Sequence, residues 1–297
     1  MNRPTNPAAS AVHCAGSVDA LHDARGTDSL PLAGEHRGAL DNYRFEHFDF
    51  RMMLQDMRFS QESLRAGDRL PDTTLLTPDG DEASLLELAA GRPIVLVTGS
   101  TSCPLTVSSL PDLNRLEKRY GDRVQFVLLQ VREAHPGAEL NQPHTQQEKL
   151  EHAQHMREVL GVRWPVLVDD IDGSLHRLLD AMPNSLHIIA PGGEILYRAL
   201  AAGDAGVEDA IARVAAGDPP RKEQSQSMLP MLESAGFMHN TLVRAGKGAY
   251  VDVAKSAPPM VALAMGAKLM PFIPKRKRGY ALMLTFAALV VAVTQVF

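Results

Sequence analysis

The chain has 297 residues, a formal net charge of −5, 45% hydrophobic and 22% charged residues. That composition suits a globular protein with room for a sizeable core. The acidic balance and the 5% aromatic content exclude a basic, base-stacking nucleic-acid surface.

Residues 1–40 are rich in Ala, Gly, Pro, Asp and His and hold no apolar run of signal-peptide length. Residues 42–59 carry more aromatics and Met, so residues 1–60 read as a disordered, then edge-packing, N-terminal extension. From residue 67 the pattern sharpens. Residues 73–76 and 82–84 read as strands around a Pro78-Asp79-Gly80 turn, and residues 85–90 as a short helix. Residues 93–98 form a short β-branched apolar run, the mark of a buried strand. A small-residue turn then leads to Cys103, and Pro104 suits the first position of a helix reaching Tyr120, with Pro111 inside it.

Residues 124–131 read as a second buried strand that ends in Glu133-Ala134-His135-Pro136. Thr145 and Glu148 have capping-box spacing for a helix to Leu160. Residues 165–168 are a third buried strand, followed by an Asp-rich turn (Asp169, Asp170, Asp172, Gly173) and a helix. Pro183 precedes a hairpin turned at Pro191-Gly192-Gly193, and residues 205–215 form a final amphipathic helix. The succession of elements predicts an α/β domain over residues 61–216 with a mixed central sheet. Residues 217–279 read as a helical spacer ending in Lys275-Arg276-Lys277-Arg278. Residues 280–297 are uncharged and would rise about 27 Å as a helix. With the basic flank, this predicts a single-pass C-terminal tail anchor and a membrane protein whose catalytic domain faces the cytoplasm.

The two cysteines, Cys14 and Cys103, form neither a disulfide framework nor a zinc pattern, which fits a reducing compartment. Cys103 is the candidate nucleophile. At a helix N-terminus the dipole and free N–H groups favour thiolate, and Ser100 and Ser102 are placed to bond the sulfur. His135 and His144 are candidate proton donors, and Glu133 can orient His135 or join a proton relay. Glu148, His152 and His155 share a helix face, read as solvent-facing rather than as a metal site, and no cofactor is expected.

Strand, Cys-Pro and a Pro-containing helix resemble the thioredoxin-like superfamily, with Pro183 in the place of its cis-proline and Thr106 in the place of a second cysteine. More closely, Gly99, Ser100, Ser102, Cys103, Pro104, Leu110 and Pro111 are similar to the active segment of the iodothyronine deiodinase family, with Cys for selenocysteine. Glu133-Ala134-His135-Pro136 matches that family's second strand end, and His144 and Glu148 its later His and Glu. The resemblance covers residues 67–214. It departs at Gln130, where the family has Tyr, at Arg132, where it is acidic, and at Leu179-Asp180, where it has Tyr-Gly. Its membrane anchor is usually N-terminal. The resemblance implies thiol-dependent reductive chemistry on a small-molecule substrate, with Cys103 regenerated by an external thiol and Cys14 as a remote resolving thiol. A one-cysteine peroxidase, with Arg132 as the supporting cation, and a membrane-tethered, non-enzymatic binding protein are the rival readings.

Overall fold

In the computed structural model, residues 43–294 are described, so Cys14 and most of the N-terminal extension lie outside the described residues. Helix α1 (Phe50–Gln55) is capped by Asp49, whose carboxylate accepts the Arg51 N–H. Strands β1 (Thr74–Leu76) and β2 (Glu82–Ser84) pair antiparallel across the expected turn, and Ser84 caps α2 (Leu85–Ala89). Strand β3 (Ile94–Gly99) is buried at every position and leads to α3 (Pro104–Tyr120). Then come β4 (Gln125–Gln130), α4 (Gln146–Leu160), β5 (Val166–Val168) and α5 (Ser174–Leu178). The hairpin β6 (Leu186–Ile189) and β7 (Ile195–Ala199), then α6 (Ala205–Ala215), complete the expected domain.

The sheet order is β2-β1-β5-β4-β3-β6-β7, continued at one edge by β8 (Gln224–Ser225). β3 lies between parallel β4 and antiparallel β6. This is the mixed α/β thioredoxin-like arrangement, and it places the C-terminal ends of β3 and β4 side by side. Apolar layers on the two faces of the sheet fill with Val, Leu and Ile from alternate strand positions. The Asp-rich turn acts as a cap. Asp169 accepts the N–H groups of Leu175 and His176, and Asp170 those of Asp172 and Ser174.

One expectation is corrected, and another finds no support. No cis peptide bond occurs among the described residues, so the bond before Pro183 is trans. The chain reaches Pro183 through positive φ at Asp180 and Ala181 instead, and the Met182 carbonyl is held by Thr98 Oγ1 and His176 Nε2. Nor is a tail anchor supported, because among the described residues no helix is long and apolar enough to cross a membrane. Helix α10 (Lys275–Thr294) takes the basic tetrad into its first turn. Its start is tied to protein. Arg276 pairs with Asp112 and Glu233, and the Tyr280 hydroxyl donates to Glu233.

Residues 221–274, expected as a spacer, form a packed subassembly. Helices α7 (Leu229–Ala245), α8 (Lys247–Ser256) and α9 (Pro258–Lys268) build a third apolar cluster with Phe48 and Leu140, and α7 packs on α3. The Ala245 carbonyl accepts the N–H groups of Glu139 and Leu140, and Gly137 lies so close that a Cβ there would come within 2.4 Å of that oxygen. The loop after His135 is thereby fastened to the end of α7.

His187, in β6, is fully buried and neither ring nitrogen has a hydrogen-bond partner. Burial, reinforced by Arg198, holds its pKa down at about 3 against an ordinary 6.5. The unfolded chain therefore takes up a proton that the folded chain refuses, and stability falls as pH drops from 6.5 towards 3. His187→Leu is expected to raise the melting temperature, since an unpartnered buried polar group costs about 1–3 kcal/mol. Thermal melts between these pH values should also show a shallower acid loss in the variant.

Candidate functional site

Cys103 is the N-cap of α3 and its residue is 2% exposed. Pro104 follows at the first helical position, and the Val107 N–H donates to the Cys103 carbonyl. The helix N-terminus thus begins at the residue that carries the sulfur, but the Cys103 side chain makes no capping hydrogen bond. The expected lowering of the thiol pKa is overturned. Burial pushes the thiol above its ordinary value, against the opposing hydrogen bonds from Thr106 and Leu105, and the nearby Glu133 charge pushes the same way. Thr106, the residue in the place of a second cysteine, lies beside this turn, and its hydroxyl accepts the Ser100 N–H at 3.4 Å.

Ser100 and Ser102 serve the backbone rather than the sulfur. The Ser100 hydroxyl accepts the Ala134 N–H at 3.2 Å. The Ser102 hydroxyl donates to Glu133 Oε2 and accepts the His135 N–H at 3.1 Å, while the Ser102 N–H also donates to Glu133 at 3.0 Å. Together they clasp the loop after β3 to the loop after β4.

Glu133 is fully buried and sits at the centre of that clasp. Besides Ser102, its carboxylate accepts from Gln130 at 3.2 Å and from His152 Nδ1 at 3.1 Å. Burial alone would raise its pKa, but His152 and Ser102 outweigh it and hold the carboxyl below its ordinary value. For His152, burial lowers the pKa, and the bond to Glu133 outweighs it and raises it. The His152 side chain is 12% exposed, so the pair connects the buried carboxylate to the surface of α4. His152 was read from the sequence as solvent-facing because its helix position alone suggested that. Its actual partner lies nineteen residues earlier. Gln142, equally silent in the sequence, fixes the Glu133 backbone from both sides, accepting its N–H and donating to its carbonyl.

His135 packs on Phe48 with ring centroids 4.4 Å apart, and its Nδ1 is buried without a partner. Burial brings its pKa down to about 4, partly offset by the Glu133 charge, so the ring is neutral near pH 7. No hydrogen bond joins its ring to Glu133, which makes no orienting contact there. His144 is elsewhere. It is exposed at the entry to α4, where its N–H donates to Glu148 and its ring approaches Glu46 at 3.4 Å.

A cavity of about 190 Å³ brings Cys103, His135, Arg132 and Pro183 together and leaves His144 out. The Arg132 guanidinium donates to the Tyr43 and Ala181 carbonyls and lies over the Tyr43 and Phe45 rings. Chemically, the site is a buried thiol and a neutral imidazole sharing one apolar chamber, backed by a carboxylate–imidazole pair that leads to solvent.

A model of the iodothyronine deiodinase family matches residues 37–207, more than half of the 297-residue chain, and the chain belongs to that family. Among solved structures, an uncharacterized conserved protein from Geobacillus kaustophilus is 20% identical, with 54% of this chain and 87% of that chain covered and a TM-score of 0.44. The thioredoxin domain of a thiol-disulfide oxidoreductase from Bacteroides vulgatus is 15% identical, with 46% and 89% covered and a TM-score of 0.36.

Two measurements check the electrostatics. Cys103 alkylation by iodoacetamide is expected to keep accelerating from about pH 8 to about pH 10, beyond where an ordinary thiol begins to level off. The Glu133 contribution to stability is present above 4.5 and lost as pH falls through its depressed value. That of His152 is present below 6.5 and lost as pH rises through its elevated value. His152→Gln should therefore cost most between these pH values, about 1–3 kcal/mol, with a smaller loss in melts at higher pH.

Proposed function

We propose that this deiodinase-family protein is a thiol-dependent oxidoreductase that reductively removes halogen from a small organic substrate, with Cys103 as the nucleophile. The observation that supports the reading most is the cavity that holds the Cys103 thiol and the unpartnered His135 Nδ1 in one buried chamber. A thiol held up and an imidazole held down rest as a neutral pair. As sulfur attacks the halogen, the thiol proton passes to His135, and the carbon–halogen bond breaks with its electron pair on carbon. His135 then protonates that carbon, leaving a sulfenyl halide on Cys103. One external thiol displaces halide to give a mixed disulfide. A second releases Cys103 as thiol and leaves as the external disulfide. The balance is one organic halide and two thiols to one reduced product, one hydrogen halide and one disulfide. Glu133 and His152 hold the Cys103 loop and exchange protons with solvent.

A second reading is a one-cysteine thiol peroxidase, favoured by Arg132 lining the same cavity. Here Cys103 attacks a peroxide oxygen, His135 protonates the departing oxygen, and two thiols reduce the sulfenic acid, releasing water.

The full-length protein should be supplied with an aryl iodide or a peroxide, in the presence of dithiothreitol, alongside Cys103→Ser and His135→Gln. Iodide release that is lost in Cys103→Ser and falls about 100-fold in His135→Gln is the expected outcome. Peroxide consumption without iodide release would favour the second reading. Turnover that persists in Cys103→Ser would sink both.

A further inference from the structure

The chamber over Cys103 is walled by chain that lies beyond the family match. Met228 and Met231 come from the start of α7, Met238 from its middle, and Met260 and Leu263 from α9, whereas the match ends at residue 207. Met52 and Met53 of α1 face the same space, so six methionines line one cavity. A thioether carries no charge and no N–H or O–H donor, and its three rotatable bonds let the wall reshape around different apolar bodies. The charged side chains at the cavity are Arg132 and Asp56. Arg132 already donates to two carbonyls and is stacked between two rings, and Asp56 has interactions of its own. A charged substrate entering this chamber would give up its water with little in return, and every 1.4 kcal/mol or so of that loss is a factor of ten.

We infer that α7 and α9 form a selectivity wall over Cys103 that admits uncharged, apolar electrophiles and turns anionic ones away. This rests on Cys103 being the reacting group. It goes beyond that reading by naming the substrate class and by assigning the choice to the C-terminal helices. The body of the substrate lies along the methionines of α7 and α9, and its reacting atom meets the sulfur at the α3 N-terminus. The wall is held in place through Gly137 and the Ala245 carbonyl, on the same loop that carries His135.

Alkylation reads this directly on the full-length chain. The Cys103 sulfur forms a bond to the reagent's methylene carbon, iodide leaves with the electron pair, and the thiol proton is released. Labelling by N-benzyl iodoacetamide, uncharged and apolar, is compared with iodoacetate, anionic, by peptide mass mapping. Each rate is divided by that of the same cysteine in urea. The folded protein should favour the uncharged reagent at least about tenfold. Met231→Lys, at a half-buried wall position, should cut that preference at least about threefold by offering the anion a partner. Met228→Lys, in the turn before α7, should act in the same direction and guards against misfolding of the first variant. Equal normalised rates for the two reagents, or a preference that neither lysine variant alters, would overturn the selectivity wall while leaving Cys103 as a nucleophile. Labelling in urea but by neither reagent in the folded chain would overturn the catalytic reading, and this inference with it.

Discussion

The site depends on one buried carboxylate. Glu133 accepts hydrogen bonds from Ser102, Gln130 and His152, and no part of it reaches solvent. A buried carboxylate without such partners would be strongly destabilising, and with them it becomes a fixed point that chain on three sides must respect. Ser102 belongs to the turn that delivers Cys103, Gln130 to the end of β4, and His152 to α4. Removing any one donor leaves charge exposed to an apolar interior, so the three segments are bound to a single geometry. The parallel pairing of β3 with β4 sets their ends side by side, and Glu133 locks the loops that follow.

From that lock the rest of the chamber follows. Ser102 and Ser100 hold the backbone of Ala134 and His135, which turns the His135 ring towards Phe48 and the cavity. The chain then runs through Gly137 to the end of α7, where only a residue without a Cβ fits against the Ala245 carbonyl. The methionine-lined helices are placed by the same loop that places the imidazole. Fold, imidazole and methionine-lined cavity are consequently not separable parts: a shift at the Glu133 clasp would move all three.

Much of this was legible in the sequence wherever the signal is local. Buried strands show as β-branched runs, the α3 start shows in Cys103-Pro104, and the caps at Thr145 and Asp169 show in residue type and spacing. The pairing of a thiol loop with an acid-imidazole loop was legible because parallel strands bring their C-terminal ends together. What escaped was long-range. His152 looks solvent-facing on its own helix, and nothing nearby in sequence announces its carboxylate. Residues 221–274 show helical patterns but not what they cover, since a Met-rich face fits a core, a surface or a cavity equally well. The ion pairs of Arg276 with Asp112 and Glu233, which bind the start of α10 to the protein, are long-range in the same way.

The thiol shows most sharply how tertiary structure can reverse a local rule. A helix N-terminus lowers a cysteine pKa when the sulfur is also reached by water or a cation. Here the same N-terminus lies under a methionine wall with an anion behind it, and desolvation wins. The imidazole beside it loses its charge for the same reason. In the proposed mechanism both groups stay neutral until a substrate arrives, and an apolar chamber tolerates a neutral pair at little cost. In that mechanism charge develops only as bonds change, between two groups that line the same cavity. Under the proposed selectivity wall, the reactivity of such a buried cysteine is tied to what α7 and α9 let in.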